Sequence, residues 1–296
     1  RLPLYRLEAK NKNTSNICSF FLEKALQLGK YVALVFPKFL LNTPEFSTTR
    51  AELAQKSVDA ILDFGEKGFP GILVETIAIF INNLAAPANT KVFSLTYRLH
   101  LTQPQAYIFD PELPYWIIYR NQLFDSVCRK LDFDVFEVFR DRQLTNKLLS
   151  SSGELRVLKS RNLSDDGKEI LDIPGYDSYI SYAAAKPLSV FQYLDAPNVY
   201  LTPNMTYKPR MMKKPPHCVV NGSLAILIPK GGIVPTEKQL AYFSSEEYRA
   251  FYQIARNFQT RSLNVDACSV FFYGLLRDEA KPAPEKFDTS VQLSFL

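Results

Sequence analysis

Histidine is scarce: the 296 residues contain two, His100 and His217, in unrelated contexts. Nothing beside either one supports a Ser–His–Asp or Cys–His nucleophilic system, so structural roles are expected for both. The four cysteines, Cys18, Cys128, Cys218 and Cys268, are dispersed, with no CxxC pair or other metal-ligand spacing. That argues against a zinc ribbon or a disulfide scaffold and fits reduced thiols in a cytoplasmic protein. No apolar run reaches the roughly 18–20 residues of a membrane span. The opening stretch RLPLYRLEAK has no apolar leader core and no initiator Met, and no membrane partner is expected. GxxxxGK[ST] and GxGxxG are both missing, which argues against P-loop chemistry and a dinucleotide fingerprint. No internal repeat is found. Between Ala196 and Thr236 there is no Asp or Glu at all.

What is present reads as globular: 47% hydrophobic and 22% charged residues, net charge +5, and a length that suits two domains. Ile17, Phe20, Phe21, Ala25 and Leu28 recur at helical spacing, with Gly29 where a C-cap glycine belongs. YVALVFP (31–37) is a continuous apolar run suited to a buried strand. TRAE (49–52) fits a capping box opening a short helix, with Thr49 at the N-cap. VDAILDF (58–64) and ILVETIAIFI (72–81) read as two more strands. The order of helices and strands indicates an α/β sheet. The linker between the last two strands is too short for a parallel crossover. They are expected to form an antiparallel hairpin at one side of an otherwise parallel sheet. KVFSLTYRLHL adds one strand-like piece, and 114–131 favours a helix with Phe124, Val127, Cys128 and Leu131 on one face. Around 141–153 the polar run DRQLTNKLLSSSG suggests a boundary. Beyond it come short strands (ELRVLKSRNL, NVYLTP, NGSLAILIPK), and SSEE (244–247) opens a helix with Tyr248, Phe251, Tyr252 and Ala255 on one face. A Pro/Lys/Ala-rich tail follows Asp278.

Two features carry chemistry. The first is GEKGFPG (65–71), three glycines around a Phe–Pro pair between two strands, flanked by Asp63 and Glu66. The second is the acid-free stretch, which holds Lys208, Arg210, Lys213, Lys214 and Lys230, with Tyr200 and Tyr207 interleaved. Arg140, Arg142, Lys147, Arg156, Lys159 and Arg161 form another cationic set. Unpaired cations suit phosphate contacts, and neighbouring aromatics and amides suit specific ones; a solvated basic face is the alternative.

SFFLEKALQLGKYVALVFPKFLLNTPEF followed by ILDFGEKGFPGILVETIAIFI resembles the C-terminal half of the catalytic domain of S-adenosylmethionine-dependent DNA amino-methyltransferases. The nearest likeness is to adenine-N6 enzymes of restriction–modification systems. GELRVLKSRNL, TPNMTYKPR, NGSLAILIPK and FYQIARNFQTRSLNVD are similar to the target-recognition domains of such enzymes and of restriction specificity subunits. The likeness covers roughly residues 15–275. It implies a fold: the C-terminal half of a Rossmann-like methyltransferase sheet with an antiparallel hairpin (1–110), a helical connector (111–150), a mixed α+β DNA target-recognition domain (151–278) and a tail (279–296). It implies base flipping, with Phe69 stacking on the extruded base. Phe21, Phe20 and Pro37 would line part of an S-adenosylmethionine pocket, with Pro37 and Lys38 near its rim. Double-stranded DNA would be held by Arg140, Arg142, Lys159, Arg161, Tyr207, Lys208, Arg210, Lys213 and Lys214. Arg256, Asn257, Arg261 and Asn264 are candidates for base readout, or equally for helix caps and turns.

The family's cofactor glycine motif and its [N/D/S]-P-P-[Y/F] tetrapeptide are absent; NTPEF (42–46) lacks the second Pro. In the family both precede the FLEKA helix. The resemblance therefore implies a chain that methylates only together with an N-terminal catalytic half or a separate catalytic subunit. A non-catalytic DNA-specificity subunit is the rival expectation, and part of an RNA methyltransferase is a third.

Overall fold

A computed structural model describes residues 16–260 and 264–278. The described chain divides into two units. Unit 1 takes 16–124 and 254–260; unit 2 takes 125–253 and 264–278. The boundary thus falls at 124/125, inside the stretch expected as a connector, and 254–260 returns to unit 1. The tail beyond 278 lies outside the described residues. Both units mix helices with mixed sheets, and no described helix is long and apolar enough to cross a membrane.

Unit 1 opens with α1 (Ile17–Leu28), capped by the Asn16 side chain, which accepts the Cys18 N–H. The helix buries Ser19, Phe20, Leu22, Glu23 and Leu26. Ile17, Phe21 and Leu28 are exposed, so the helix is rotated from the apolar stripe expected: Leu22 and Leu26, one turn apart, set its inner face. Strand β1 (Tyr31–Pro37) follows, then α2 (Ser47–Ala54). Thr49 is not an N-cap. It lies inside α2, where its hydroxyl donates to Ser19 Oγ.

Strands β2 (Ser57–Gly65), β3 (Thr76–Asn82), β4 (Asn89–Ser94) and β5 (Leu99–Pro104) complete a five-stranded sheet in the order β1-β3-β2-β4-β5. The β2/β3 hairpin is antiparallel as expected, but it does not sit at one side. β3 inserts between β1 and β2, and β2–β4 is the one parallel pair of the sheet. β3 also starts later than expected, at Thr76: Ile72, Leu73 and Val74 lie in the preceding loop and are exposed. KVFSLTYRLHL is not one piece but the β4/β5 hairpin, turned at Arg98 (φ 52°).

The register gives the sheet two unlike faces. Phe36, Ile61, Ile77, Ile79, Ile81 and Val92 fill the buried one. On the other, Tyr31, Val35 and Phe80 are exposed. Residues 114–121 are not helical, although Tyr115 to Tyr119 are buried; the helix here is α3 (Gln122–Lys130).

In unit 2, β6 (Leu131–Asp132) and β7 (Phe136–Phe139) lead to β8 (Leu155–Leu158), β9 (Ser178–Ile180), β10 (Tyr200–Pro203), β11 (Met212–Lys213), β12 (Cys218–Val220) and β13 (Leu224–Pro229). β11-β10-β13-β7 is an antiparallel sheet, and β12-β8-β9 a smaller mixed one. Val157, Leu158, Ile180, Val219, Val220, Leu224 and Ile226 form their core. The helices α4 (Glu237–Tyr242) and α5 (Glu246–Ala255) follow, and β14 (Leu275–Leu276) pairs with β6. The face read for α5 is buried: Tyr248, Phe251, Tyr252 and Ala255 are all inside, and the three rings pack with Phe243, Phe272 and Tyr273. Its cap is Ser245, whose Oγ accepts the Tyr248 N–H.

Candidate functional site

In unit 1 the loop joining β2 to β3, residues 66–75, carries Phe69. Turns close on either side of the ring, from the Lys67 N–H to the Phe64 carbonyl and from the Ile72 N–H to the Phe69 carbonyl. Two glycines are needed for geometric reasons. Gly71 has φ +81°, a conformation that L side chains avoid, and a Cβ on Gly68 would stand 2.2 Å from Thr76 Oγ1. Phe69 is left 46% exposed, beside exposed Ile72 and Leu73.

Beneath this loop lies a buried charge network. Lys38, just past the end of β1, puts its Nζ 2.7 Å from Asp63 Oδ2 and 3.6 Å from Glu75 Oε1, and the Lys38 and Asp63 side chains are each 1% exposed. The Tyr119 hydroxyl donates to Asp63 Oδ2 at 2.5 Å, and the Gly65 N–H donates to Oδ1 at 2.9 Å. Burial, with Asp63 alongside, drives the Tyr119 phenol well above its ordinary value, so it stays a donor. The Lys38 N–H reaches the Glu75 carbonyl at 2.8 Å. One side chain therefore ties together the ends of three strands at the root of the Phe69 loop. With their oxygens engaged in this way, Asp63 and Glu75 are placed to hold the loop rather than to exchange protons with a substrate. Lys38 was expected at a pocket rim; its burial rules that out.

The three residues expected at a cofactor fare differently. Phe20 is 6% exposed and faces the core. Phe21 is 64% exposed on the outer side of α1. Pro37 closes β1 half-buried. Among the described residues no group of His, Cys, Asp and Glu is arranged to hold a metal, and none of the four cysteines is in a disulfide. His100 stacks on Phe93 at 4.4 Å.

In unit 2 the expected DNA contacts split by burial. Arg210 is 8% exposed, and its guanidinium donates to the carbonyls of Ser160, Leu163 and Lys208. Lys214 is 4% exposed, its ammonium on the carbonyls of Leu194 and Pro215. Burial pulls both below their ordinary values. Neither can reach a phosphate, because leaving those carbonyls would strand buried acceptors. Arg156 is neutralised by Asp172 at 2.6 Å and Asp177 at 3.0 Å. Arg142, Lys147, Arg161 and Lys213 are exposed. Tyr207 is half-exposed and Lys208 exposed, the latter 3.3 Å from Asp165. Arg140 is half-buried beside Asn204; burial, then the neighbouring Arg142, lowers its guanidinium. Lys159 and Arg161 share the Tyr176 ring, at 3.9 and 4.7 Å from its centroid. The Lys159 ammonium also donates to the Tyr176 carbonyl and the Ser178 hydroxyl.

Of the base-readout candidates, Arg256 and Asn257 belong to unit 1 and are 2% and 0% exposed. The Asn257 amide accepts the Ile118 N–H and donates to the Trp116 carbonyl. Arg256 lies against the Tyr115 hydroxyl. Both are internal bracing and not base readers. Asn264 accepts from Asn204, and Arg261 lies outside the described residues.

No protein-family model and no curated protein sequence matches the chain. Among solved structures it is similar to the type IIL restriction-modification enzyme MmeI, solved in complex with DNA, at 12% identity and a TM-score of 0.46, over 86% of this chain and 41% of that one. It is also similar to the type IIG restriction endonuclease BpuSI, at 10% identity and a TM-score of 0.35, over 88% and 41%. The chain spans about two-fifths of the length of either enzyme. At such identities and scores the likeness is too coarse to transfer a residue or a role.

Proposed function

We propose that this chain recognises DNA and presents the target base for an S-adenosylmethionine-dependent adenine-N6 methyltransferase of a restriction–modification system. Unit 1 is the C-terminal half of its Rossmann-like catalytic sheet, and unit 2 its DNA target-recognition domain. The observation that carries the reading is the Phe69 loop. An aromatic ring stands half-exposed on a glycine-shaped loop whose root is pinned by a buried Lys–Asp–Glu–Tyr network. A base swung out of a duplex needs such a fixed aromatic face.

The chemistry also needs groups that this chain does not supply. S-adenosylmethionine, when bound, brings the methyl group. Phe21 fits as an open face for its adenine and Pro37 as a wall, whereas Phe20 faces the core. They are this chain's share of the pocket in this reading. A catalytic half would complete it, and the exposed Tyr31, Val35 and Phe80 on the outer face of the sheet support such a partner, since exposed apolar patches mark interaction surfaces. The second reading, a specificity subunit working with a separate catalytic protein, draws on the absence of the glycine motif and the tetrapeptide.

The test is methyl transfer to duplex DNA by the chain combined with the catalytic half. Phe69→Ala should lower it by about tenfold to a hundredfold, the worth of one stacked base, and leave duplex affinity within about twofold. Unchanged methylation would sink the stacking role.

A further inference from the structure

We infer that residues 254–260 are a strap that sets the Phe69 loop, with Thr260 as its positioning residue. The proposal rests on the reading of Phe69 as the base-stacking ring and says what holds that ring in place.

The strap begins at the end of α5 and runs Ile-Ala-Arg-Asn-Phe-Gln-Thr. Asn257 and Phe258 both have φ of 51°. Two consecutive left-handed residues that are not glycine are each unfavourable by about 1–2 kcal/mol, and such a backbone persists where its surroundings over-determine it. Here they do. The Asn257 side chain is bonded to the backbone at Trp116 and Ile118. The Phe258 ring packs on Tyr97 at 4.9 Å and on Tyr119 at 5.3 Å, and its carbonyl accepts the Tyr97 hydroxyl. Gln259 and Asn42 exchange two amide hydrogen bonds, at 2.7 and 3.3 Å, and both are buried.

The consequence of the contorted backbone is where it delivers Thr260. The Thr260 N–H donates to Glu75 Oε2 at 2.9 Å, and the hydroxyl donates to Glu66 Oε1 at 2.7 Å. Glu66 and Glu75 are the first and last residues of the loop. One threonine thus joins both ends of the loop that carries Phe69, while the other oxygen of Glu75 faces Lys38. Thr260 is assigned no contact with base or cofactor; it acts through the two carboxylates. On either side of the strap the chain belongs to unit 2, so the residues bracing the loop lie far from it in sequence.

Hydrogen exchange of the full chain, read on the amides of 66–74, tests this without DNA or cofactor. Thr260→Val keeps the shape and the N–H but removes the hydroxyl; exchange across 66–74 should quicken about fivefold, as loss of one hydrogen bond predicts. Thr260→Ser should restore protection, and Glu66→Ala should reproduce the valine result. Exchange in β4 and β5 should be unchanged in all three. Protection of 66–74 that is identical in Thr260→Val overturns the proposal. So does faster exchange spread equally over β4 and β5, which would mark general destabilisation. If the loop loosens as expected while Phe69→Ala leaves methylation intact, the strap stands and the base-stacking role falls.

Discussion

Replacing Lys38 with methionine would test the network under the Phe69 loop most directly. The substitution keeps a long unbranched side chain and deletes the ammonium. It leaves Asp63 and Glu75, buried to 1% and 5% side-chain exposure, without their cation. Removing one partner of a buried ion pair costs about 3–5 kcal/mol, because the remaining charge stays buried and uncompensated. Two carboxylates sharing one lysine place Lys38→Met at the upper end. A domain holds about 5–15 kcal/mol in total, so unit 1 should lose a large part of its stability. The readout is specific to that unit. The chain has one tryptophan, Trp116, which is 4% exposed and stacked on Phe109 at 3.6 Å. Urea unfolding followed by its fluorescence should show the midpoint falling with the slope unchanged. The triple variant Lys38→Met, Asp63→Asn, Glu75→Gln removes all three charges at nearly constant volume, and should return to within about 2 kcal/mol of the parent. A loss below about 1 kcal/mol in the single variant, or a triple variant no better than the single, would refute the claim that a buried ion network pins the loop.

The cations of unit 2 should separate by burial. Arg142→Ala, Lys147→Ala, Arg161→Ala and Lys213→Ala together should flatten the salt dependence of duplex DNA binding by about 0.9 for each phosphate no longer neutralised, while Arg210→Met and Lys214→Met should lower the melting temperature and leave the slope alone; an unchanged slope in the first set removes it from the interface. Burial raises the Asp177 carboxyl, but the Ile173 N–H, the Asn162 amide and Arg156 together hold it below its ordinary value. A depressed carboxyl contributes stability above its unfolded value, about 3.9, and loses it as pH falls through the folded one. Asp177→Asn should therefore melt earlier than the parent at neutral pH and converge with it in acid; a gap that persists in acid would contradict this.

Much of the fold is legible because it is written locally. The continuous apolar runs at 31–37 and 58–64 are strands, the short linker forces an antiparallel hairpin, and α5 shows the face it buries. The errors in the sheet have one physical cause: pairing partners are chosen at long range. Nothing in residues 72–74 distinguishes exposed loop from strand, because Ile72, Leu73 and Val74 have the β-propensity and lack only a neighbour. The place of β3 between β1 and β2 is equally invisible, since either edge of β2 satisfies the hairpin.

The same cause explains the candidate site. Phe69 and its glycines lie together in sequence and could be read. Lys38, Glu75, Tyr119 and Thr260 are scattered over more than two hundred positions, and only the sheet brings them under the loop. The acid-free stretch shows the converse. Without nearby carboxylates its cations look free for phosphate, yet Arg210 and Lys214 find backbone carbonyls instead. A carbonyl is present at every residue and leaves no trace in composition. Counting charges therefore overstates a basic surface wherever irregular backbone exposes unpaired acceptors, as the turn-rich unit 2 does. Arg256 and Asn257 fail in the same direction. Both are drawn inward, Asn257 by the backbone at Trp116 and Ile118 and Arg256 by the Tyr115 hydroxyl. If the strap fixes the ring of Phe69, and that ring stacks on a flipped base as proposed, then the sequence RNFQT serves the proposed DNA chemistry from beneath the loop rather than from the groove.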